Sequence, residues 1–554
     1  MRRLPAYAPR VQGPARTAAV GEHGPARRDR RVPRRRDGAA AWCLRGLVLG
    51  VALGATACAP RSTPPDGAPD GAPDGAPDVP SPDVPWPDVP SPDVPSPDVP
   101  SPDVPSPDAP SPDAPSPDVP PLPWADGPCE GLDVGDDPFA AEVANFARQD
   151  DLVPPPPGAL VVTGSSTIRR WRSLTRTLSR FDPLQRGVGG ARLADLAAHL
   201  DVLVLRHAPR AVLVFAGTND IADGRSPAQV VDAYRCLVER MHRAAPGVPV
   251  LYVGITPTPA RWDAWPLAAE VNDAIERLAG THPSLRYIDA PAMFLARGAP
   301  PPPSLFVADG LHLSAEGYAL FEAAVLGGLE GVVSPSVRPL PRGPASGTRI
   351  RVDLGPSNPE DGAPAPAFDG FGIAWNAWHP LAGGAQAHAG EALRALRTTL
   401  GAPSEVALVL SGGFRANGRR NGGLAAPSPS RLGTMAVPEA CTDFFYSGDP
   451  DDPAGLVFEG LDPAARYTLR LFASRSSPDE ERRTGFTVHG AEAPRTASVR
   501  TTGADIGVGG YDGNDGEVTV LEGLAPDARG RLFIEVDRLA GAFCYVNLLE
   551  LEAA

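Results

Sequence analysis

The 554-residue sequence has only six cysteines and no Cys-x-x-Cys pair, which argues against zinc-ribbon and thioredoxin chemistry. It lacks the basic excess that a nucleic-acid partner needs: the formal net charge is -15. Its first 45 residues are Arg-rich, so the remainder is more acidic still, and charge alone will not hold it on an anionic membrane. The apolar run Gly46–Ala57 is too short to span a bilayer as a helix. Proline, by contrast, is abundant: 69 residues, many of them in one tract, so average composition mixes low-complexity and folded sequence. The length allows two or three domains.

Residues 1–57 read as an export signal. Arg30, Arg31, Arg34, Arg35, Arg36 and Arg45 form the basic lead, followed by the apolar run and by Ala55-Thr56-Ala57-Cys58. Small residues before a cysteine resemble a bacterial lipoprotein cleavage site, which implies lipidation of Cys58; cleavage near Ala57 without lipid is the alternative. Cys43 falls inside the signal. The remaining four cysteines, two in each folded region, suggest the disulfides Cys129–Cys236 and Cys441–Cys544 in an oxidising compartment. Four separate buried thiols are the other reading.

Residues 58–125 form a Pro/Asp-rich linker. From Pro64 to about Trp124, Ser-Pro-Asp-Val-Pro and close variants repeat. Proline removes amide donors and fixes φ, so a disordered, extended polyproline chain is expected, reaching on the order of 180 Å. Residues 126–334 alternate apolar strands (Ala159–Thr163, Ala211–Ala216, Val248–Ile255, Leu285–Ile288) with Ala-rich helices (Ala191–Leu205, Pro227–Ala245, Pro266–Ala279, Ala315–Leu326). Apolar strands each followed by a helix predict an α/β domain with a parallel sheet covered on both faces. Such sheets bind ligands at the strands' carboxyl ends. Residues 335–347 read as a second linker. Residues 348–554 carry short strands between Gly, Asp, Pro and Asn turns, which predicts an all-β antiparallel sandwich, with a short helix at Gly390–Leu400.

Four motifs fall at successive strand ends. Gly164-Ser165-Ser166-Thr167 follows the first strand and opens a helical stretch, whose free amides suit an oxyanion. It is not Gly-x-Ser-x-Gly, which disfavours the α/β-hydrolase elbow. Arg186-Gly187-Val188-Gly189-Gly190 offers glycine amides for close approach. Gly217-Thr218-Asn219-Asp220 supplies an Asn amide. Asp309-Gly310-Leu311-His312 spaces a carboxylate and an imidazole so that the ring can be oriented at one nitrogen and reach Ser166 with the other.

The series GSST, RGVGG, GTND and DGLH resembles the four signature blocks of SGNH/GDSL-like hydrolases, over about Pro138 to Gly331. VVTGSSTIRRW, AGTNDIADGRSP and GITPTPARWDAW are similar to a bacterial subgroup with Gly-Ser-Ser in the first block. The resemblance implies a flavodoxin-like three-layer α/β/α fold and ester hydrolysis through an acyl-enzyme. It implies Ser166 as nucleophile, His312 as base, Asp309 as its orienting acid, and an oxyanion hole from the amides of Ser166 and Gly190 and the Asn219 side chain. Ser165, Gln185 and Ala191 depart from the common pattern. No metal or organic cofactor is required for this chemistry. Arg261 and Trp262 are candidates for lining the substrate cleft.

The C-terminal region resembles, more weakly, galactose-binding-like jelly-roll modules, through RIRVDLG, LVFEGLDPAARYTLRLFASR and YVNLLELE. Trp375 and Trp378 are then candidates for stacking on sugar rings. Asp512-Gly513-Asn514-Asp515-Gly516 fits a turn better than a calcium loop. The combined expectation is an exported, lipid-anchored serine esterase that deacylates carbohydrate, touching the membrane only through its anchor. The alternatives are a lysophospholipase or short-chain lipase, and a non-catalytic carbohydrate-binding surface lipoprotein.

Overall fold

The computed structural model describes residues 120–554 apart from 125, 126, 128, 131, 133, 134, 357–359, 380–385 and 450–452. The export signal, Cys58 and almost all of the Pro/Asp-rich tract lie outside the described residues. No described helix is long and apolar enough to cross a membrane.

Five short strands, β1 (Leu160–Gly164), β2 (Pro183–Gly187), β3 (Ala211–Phe215), β4 (Val250–Val253) and β5 (Leu285–Ile288), form a parallel sheet in the order β2-β1-β3-β4-β5. That order is the flavodoxin-like winding, with a crossover reversal beside β1. Successive residues of β1 point to opposite faces. Val161 packs into a core with the helices Ala140–Leu152, Pro227–Ala244 and Trp265–Ala279, while Leu160 and Val162 pack into another with Trp171, Phe294, Phe321 and Val325. Two apolar faces explain why these strands lack alternation.

β2 reads PLQRG, too polar to look like a core strand, yet all five of its residues are buried. It is the edge of the sheet in this order, and the loop around Gly390 covers it. The buried Arg186 side chain donates to the Gly390 carbonyl (3.1 Å) and, through one guanidinium nitrogen, to both oxygens of Asp150 (2.9 Å each). Gly390 has φ +90°, and a Cβ there would lie 2.2 Å from the Gln185 carbonyl oxygen, so only glycine fits.

Beyond residue 348 the described chain is nearly all β. One six-stranded sheet runs Arg495–Thr502, Arg482–His489, Leu532–Ala540, Ala454–Glu459, Ala407–Leu410, Ala392–Leu393. A five-stranded sheet runs Thr519–Leu524, Tyr467–Phe472, Leu548–Ala553, Arg349–Leu354, Asn376–Trp378. A four-stranded sheet runs Cys544–Val546, Phe444–Ser447, Phe414–Asn417, Gln386–Ala387. Pairing is antiparallel except between Arg349–Leu354 and Asn376–Trp378. The helix expected at Gly390–Leu400 is not formed: Ala392–Leu393 is a strand paired to Leu408 and Val409. The backbone donor and acceptor offered by that strand outweigh the modest helical preference of the Ala-Leu sequence.

The segment 335–347, expected as a linker, is pinned. Ser336 donates its amide to Arg180, and Arg338 reaches the buried Asp182 at 2.9 Å. Arg529 and Arg531, from the β region, reach the same carboxylate at 2.6 and 3.0 Å. The α/β and β regions are therefore joined by buried charge.

Cys129 and Cys236 form a disulfide. Cys441 and Cys544 do not: both are buried free thiols. Strand register explains it. Cys544 pairs with Ser447, the far end of Phe444–Ser447, while Cys441 lies before that strand begins. The strand alone separates them by about 10 Å, beyond disulfide reach. Trp375 and Trp378 are 5% and 3% exposed, which removes both as sugar-stacking platforms. Trp375 donates its indole N–H to Asp369 (2.8 Å), and Trp378 packs against Phe445. In the 512–516 loop, Asp512 and Asp515 accept the amides of Asp505 and Val508, and Asp515 pairs with Arg431 (2.9 Å); it is a self-satisfied loop.

Candidate active site

Ser166 opens a single helical turn, Ser166–Arg169, directly after β1. The first amides of a helix have no intrahelical acceptor, so the Ser166 N–H is available to a ligand. The turn is anchored from three sides. Gln185 of β2 donates to the Ile168 carbonyl (2.7 Å), Tyr318 donates to the Thr167 carbonyl (2.9 Å), and Trp171 donates to Glu322 (2.8 Å). Gln185, a departure from the common motif, thus fixes the helix that carries Ser166.

His312 sits just before Ser314, which caps the helix Ala315–Leu329 by accepting the Gly317 amide. The preceding turn is closed by Asp309, whose Oδ1 accepts the amides of Leu311 (2.7 Å) and His312 (2.9 Å). Gly310 supplies the positive φ (+65°) that this turn needs. Asp309 Oδ2 lies 2.6 Å from His312 Nδ1, and His312 Nε2 lies 2.9 Å from Ser166 Oγ. Partial burial works to raise the Asp309 pKa, but the hydrogen bonds from the His312 ring and from the two amides prevail and hold it down to about 2. An ionised Asp309 accepts from Nδ1–H, which leaves Nε2 as the basic nitrogen facing the hydroxyl.

The three expected oxyanion donors follow three adjacent strands. Ser166 follows β1, Gly190 follows β2, and Asn219 follows β3, with β1 in the middle. Gly190 has φ +86°. The Asn219 Nδ2 donates to the Ala191 carbonyl (3.1 Å), tying the second and third loops together. Arg261, expected to line the substrate cleft, is tied into the loop after β3. It donates to the Thr218 carbonyl (2.9 Å), the Thr218 hydroxyl (2.9 Å) and Asn219 Oδ1 (3.1 Å). It therefore sets which end of the Asn219 amide carries the N–H groups toward the loop. Trp262 is half-exposed and stacks on Trp265, with ring centroids 6.4 Å apart.

Sequence reasoning missed Asp220. Both its carboxylate oxygens accept the Leu193 amide at 3.2 Å, bracing the loop that bears Gly190; burial raises its pKa to about 6. The signal was present, since Asp220 completes the GTND block, but only the fold shows what it holds. A polar cavity of about 380 Å³ begins at Arg169, the last residue of the Ser166 helix, and continues along Gln386, His388, Arg415 and Tyr446 of the β region.

Residues 158–320 match the family model of the GDSL-like lipase/acylhydrolase family. No curated protein matches the chain. Among solved structures, a GDSL-like lipase from Bacteroides thetaiotaomicron is 20% identical, covering 34% of this chain and 98% of its own, with a TM-score of 0.31. A lipase/acylhydrolase from Enterococcus faecalis is 18% identical, covering 32% and 100%, with a TM-score of 0.28. A carbohydrate esterase family 3 protein from Talaromyces cellulolyticus is 20% identical, covering 32% and 98%, with a TM-score of 0.28. Residues 158–320 of the chain thus form a GDSL-like lipase/acylhydrolase domain, the domain of a serine ester hydrolase.

Proposed function

We propose that this chain is an exported esterase that removes short acyl groups from carbohydrate, with Ser166, His312 and Asp309 as its catalytic residues. The observation that carries the reading is the unbroken line from Asp309 through His312 to the Ser166 hydroxyl, with contacts of 2.6 and 2.9 Å. His312 Nε2 takes the hydroxyl proton as Ser166 Oγ attacks the ester carbonyl carbon. The developing oxyanion is received by the amides of Ser166 and Gly190 and by Asn219 Nδ2. Asp309 stabilises the imidazolium. His312 then gives its proton to the leaving alcohol, the carbonyl–alkoxy bond breaks, and the acyl group stays on Ser166. Water repeats the sequence and releases the acid.

The carbohydrate half of the reading rests on context. The cavity at Arg169 is lined by none of the catalytic groups but lies at the end of the Ser166 helix, and its guanidinium, imidazole, amide and phenol groups, with Phe414 and Phe543, suit a sugar. The basic lead, the short apolar run and Cys58 support export with a lipid tether, and the proline tract would then hold the catalytic part away from the surface. Wild type is expected to hydrolyse p-nitrophenyl acetate and Ser166→Ala to lose that turnover. Acetate release from acetylated polysaccharide should exceed fatty-acid release from lysolipid; the reverse ranking would sink the carbohydrate assignment while leaving the esterase intact.

A further inference from the structure

The β region holds a second cluster of ionisable groups that the Ser166 chemistry does not use. Asp353 lies in the strand Arg349–Leu354, His379 follows Asn376–Trp378, and Asp443 immediately precedes Phe444–Ser447. The side chains of Asp353 and Asp443 are 0% exposed and that of His379 is 11% exposed. Asp353 Oδ2 accepts the Ala365 amide at 2.8 Å. Asp353 Oδ1 and both oxygens of Asp443 meet no donor at all. Gly355 and Gly362 bring backbone against Asp443, for a Cβ at either would lie 2.1 or 2.3 Å from its Oδ2.

His379 sharpens the problem. Its Nδ1 donates to the Pro356 carbonyl, which in the neutral ring leaves the lone pair on Nε2. That lone pair lies 3.4 Å from Asp353 Oδ2 and 4.0 Å from Asp443 Oδ2. One ligand atom from each residue falls within 4.8 Å of the others. Three side chains that can each offer an electron pair thus converge in a buried space, where Asp353 Oδ2 meets the Ala365 amide and the His379 ring while Asp353 Oδ1 and both Asp443 oxygens meet no donor. Burying carboxylate charge without a partner is strongly disfavoured, so something positive belongs there.

We propose that Asp353, His379 and Asp443 bind one divalent ion of the zinc class. Sites of this kind hold their histidine by a backbone carbonyl on the other ring nitrogen, as Pro356 holds His379. His379 Nε2 lies 3.4 and 4.0 Å from the two carboxylate oxygens and all three ligand atoms fall within 4.8 Å of one another, close enough for small side-chain shifts to bring each to a zinc–nitrogen or zinc–oxygen bond of about 2.0–2.2 Å. Calcium takes six to eight oxygens and does not choose imidazole, so the nitrogen selects against it. The ion would tie strands of the five-stranded sheet to the four-stranded one, a stabilising role separate from ester hydrolysis.

The test uses the full chain, stripped with a chelator and titrated with zinc, calcium and magnesium in parallel. The expected result is one equivalent of zinc bound, with the unfolding midpoint raised by about 5 °C at a hundredfold excess over Kd. Calcium and magnesium are expected to give no such shift. His379→Gln and Asp443→Asn should lose both the equivalent and the shift. A wild-type chain that retains no zinc and shows no shift would overturn the proposal, and the wild-type titration decides this even if a variant does not fold. Undiminished zinc binding by both variants would overturn it equally. Asp443→Asn unfolding at or above the wild-type temperature, without any zinc effect on either, would identify a proton shared between the two carboxylates instead.

Discussion

Arg261 donates to Asn219 Oδ1, and this contact orients the amide whose other end is the proposed oxyanion donor. The two residues should therefore fail in graded fashion. Asn219→Ala removes a donor and is expected to lower kcat by about 10²–10³ with little change in KM. Arg261→Met leaves the donor but frees its orientation; a fall in kcat of about tenfold is expected, with KM and the unfolding midpoint unchanged. Steady-state kinetics on p-nitrophenyl acetate, with a thermal melt of each variant, checks both. An Arg261 variant that changes KM alone would instead assign the guanidinium to substrate binding.

At the scale of elements, the strand ends were legible and the strand edge was not. GSST, RGVGG, GTND and DGLH could be placed because turns and helix starts demand Gly, Ser, Asn and Asp, whatever packs behind them. A second strand was placed before RGVGG, but its bounds could not be drawn because PLQRG has no apolar run; its burial involves the loop at Gly390, some two hundred residues later. Counting cysteines could not pair them, since Cys441 and Cys544 are separated by the length of a strand whose register no local pattern shows. The tryptophans of IAWNAWHP looked free to stack only because Asp369 and Phe445, their partners, are invisible to periodicity. The same loop carries a pH-sensitive group. Burial lifts the Glu391 pKa to about 7, although the His388 amide and Gln149 both donate to it. The fold thus keeps a proton that the unfolded chain has released, and stability declines as pH rises from the usual carboxylate range through about 7. His388, pushed down to about 4 mainly by burial, works the other way, but only below about 6.5. Urea denaturation between pH 6.5 and 8 should show falling stability in wild type and a flatter profile in Glu391→Gln.

Across the whole molecule, Asp182 is a buried tie between the α/β and β regions. It is buried with φ +47°, and three arginines converge on it. Burial opposes its ionisation, but the hydrogen bonds from Arg338 and Arg529 and the charge of Arg531 hold its pKa far below the usual carboxylate value. Asp182→Ala would leave Arg338 and Arg529 without this counter-charge, while Arg531 keeps Glu459 at 2.9 Å. A loss of about 3–5 kcal/mol is expected in chemical denaturation, and a loss near zero would mean that the arginines find water instead. The cover that Gly390 lays over β2 carries a different lesson, for anyone dissecting this protein by truncation. Cutting away residues beyond 348 would bare a row of unsatisfied peptide groups along the catalytic half. Such a fragment is expected to recruit a second copy to its naked border and elute as oligomer or precipitate, so the enzyme and its companion are better regarded as one folding unit than as cargo and accessory.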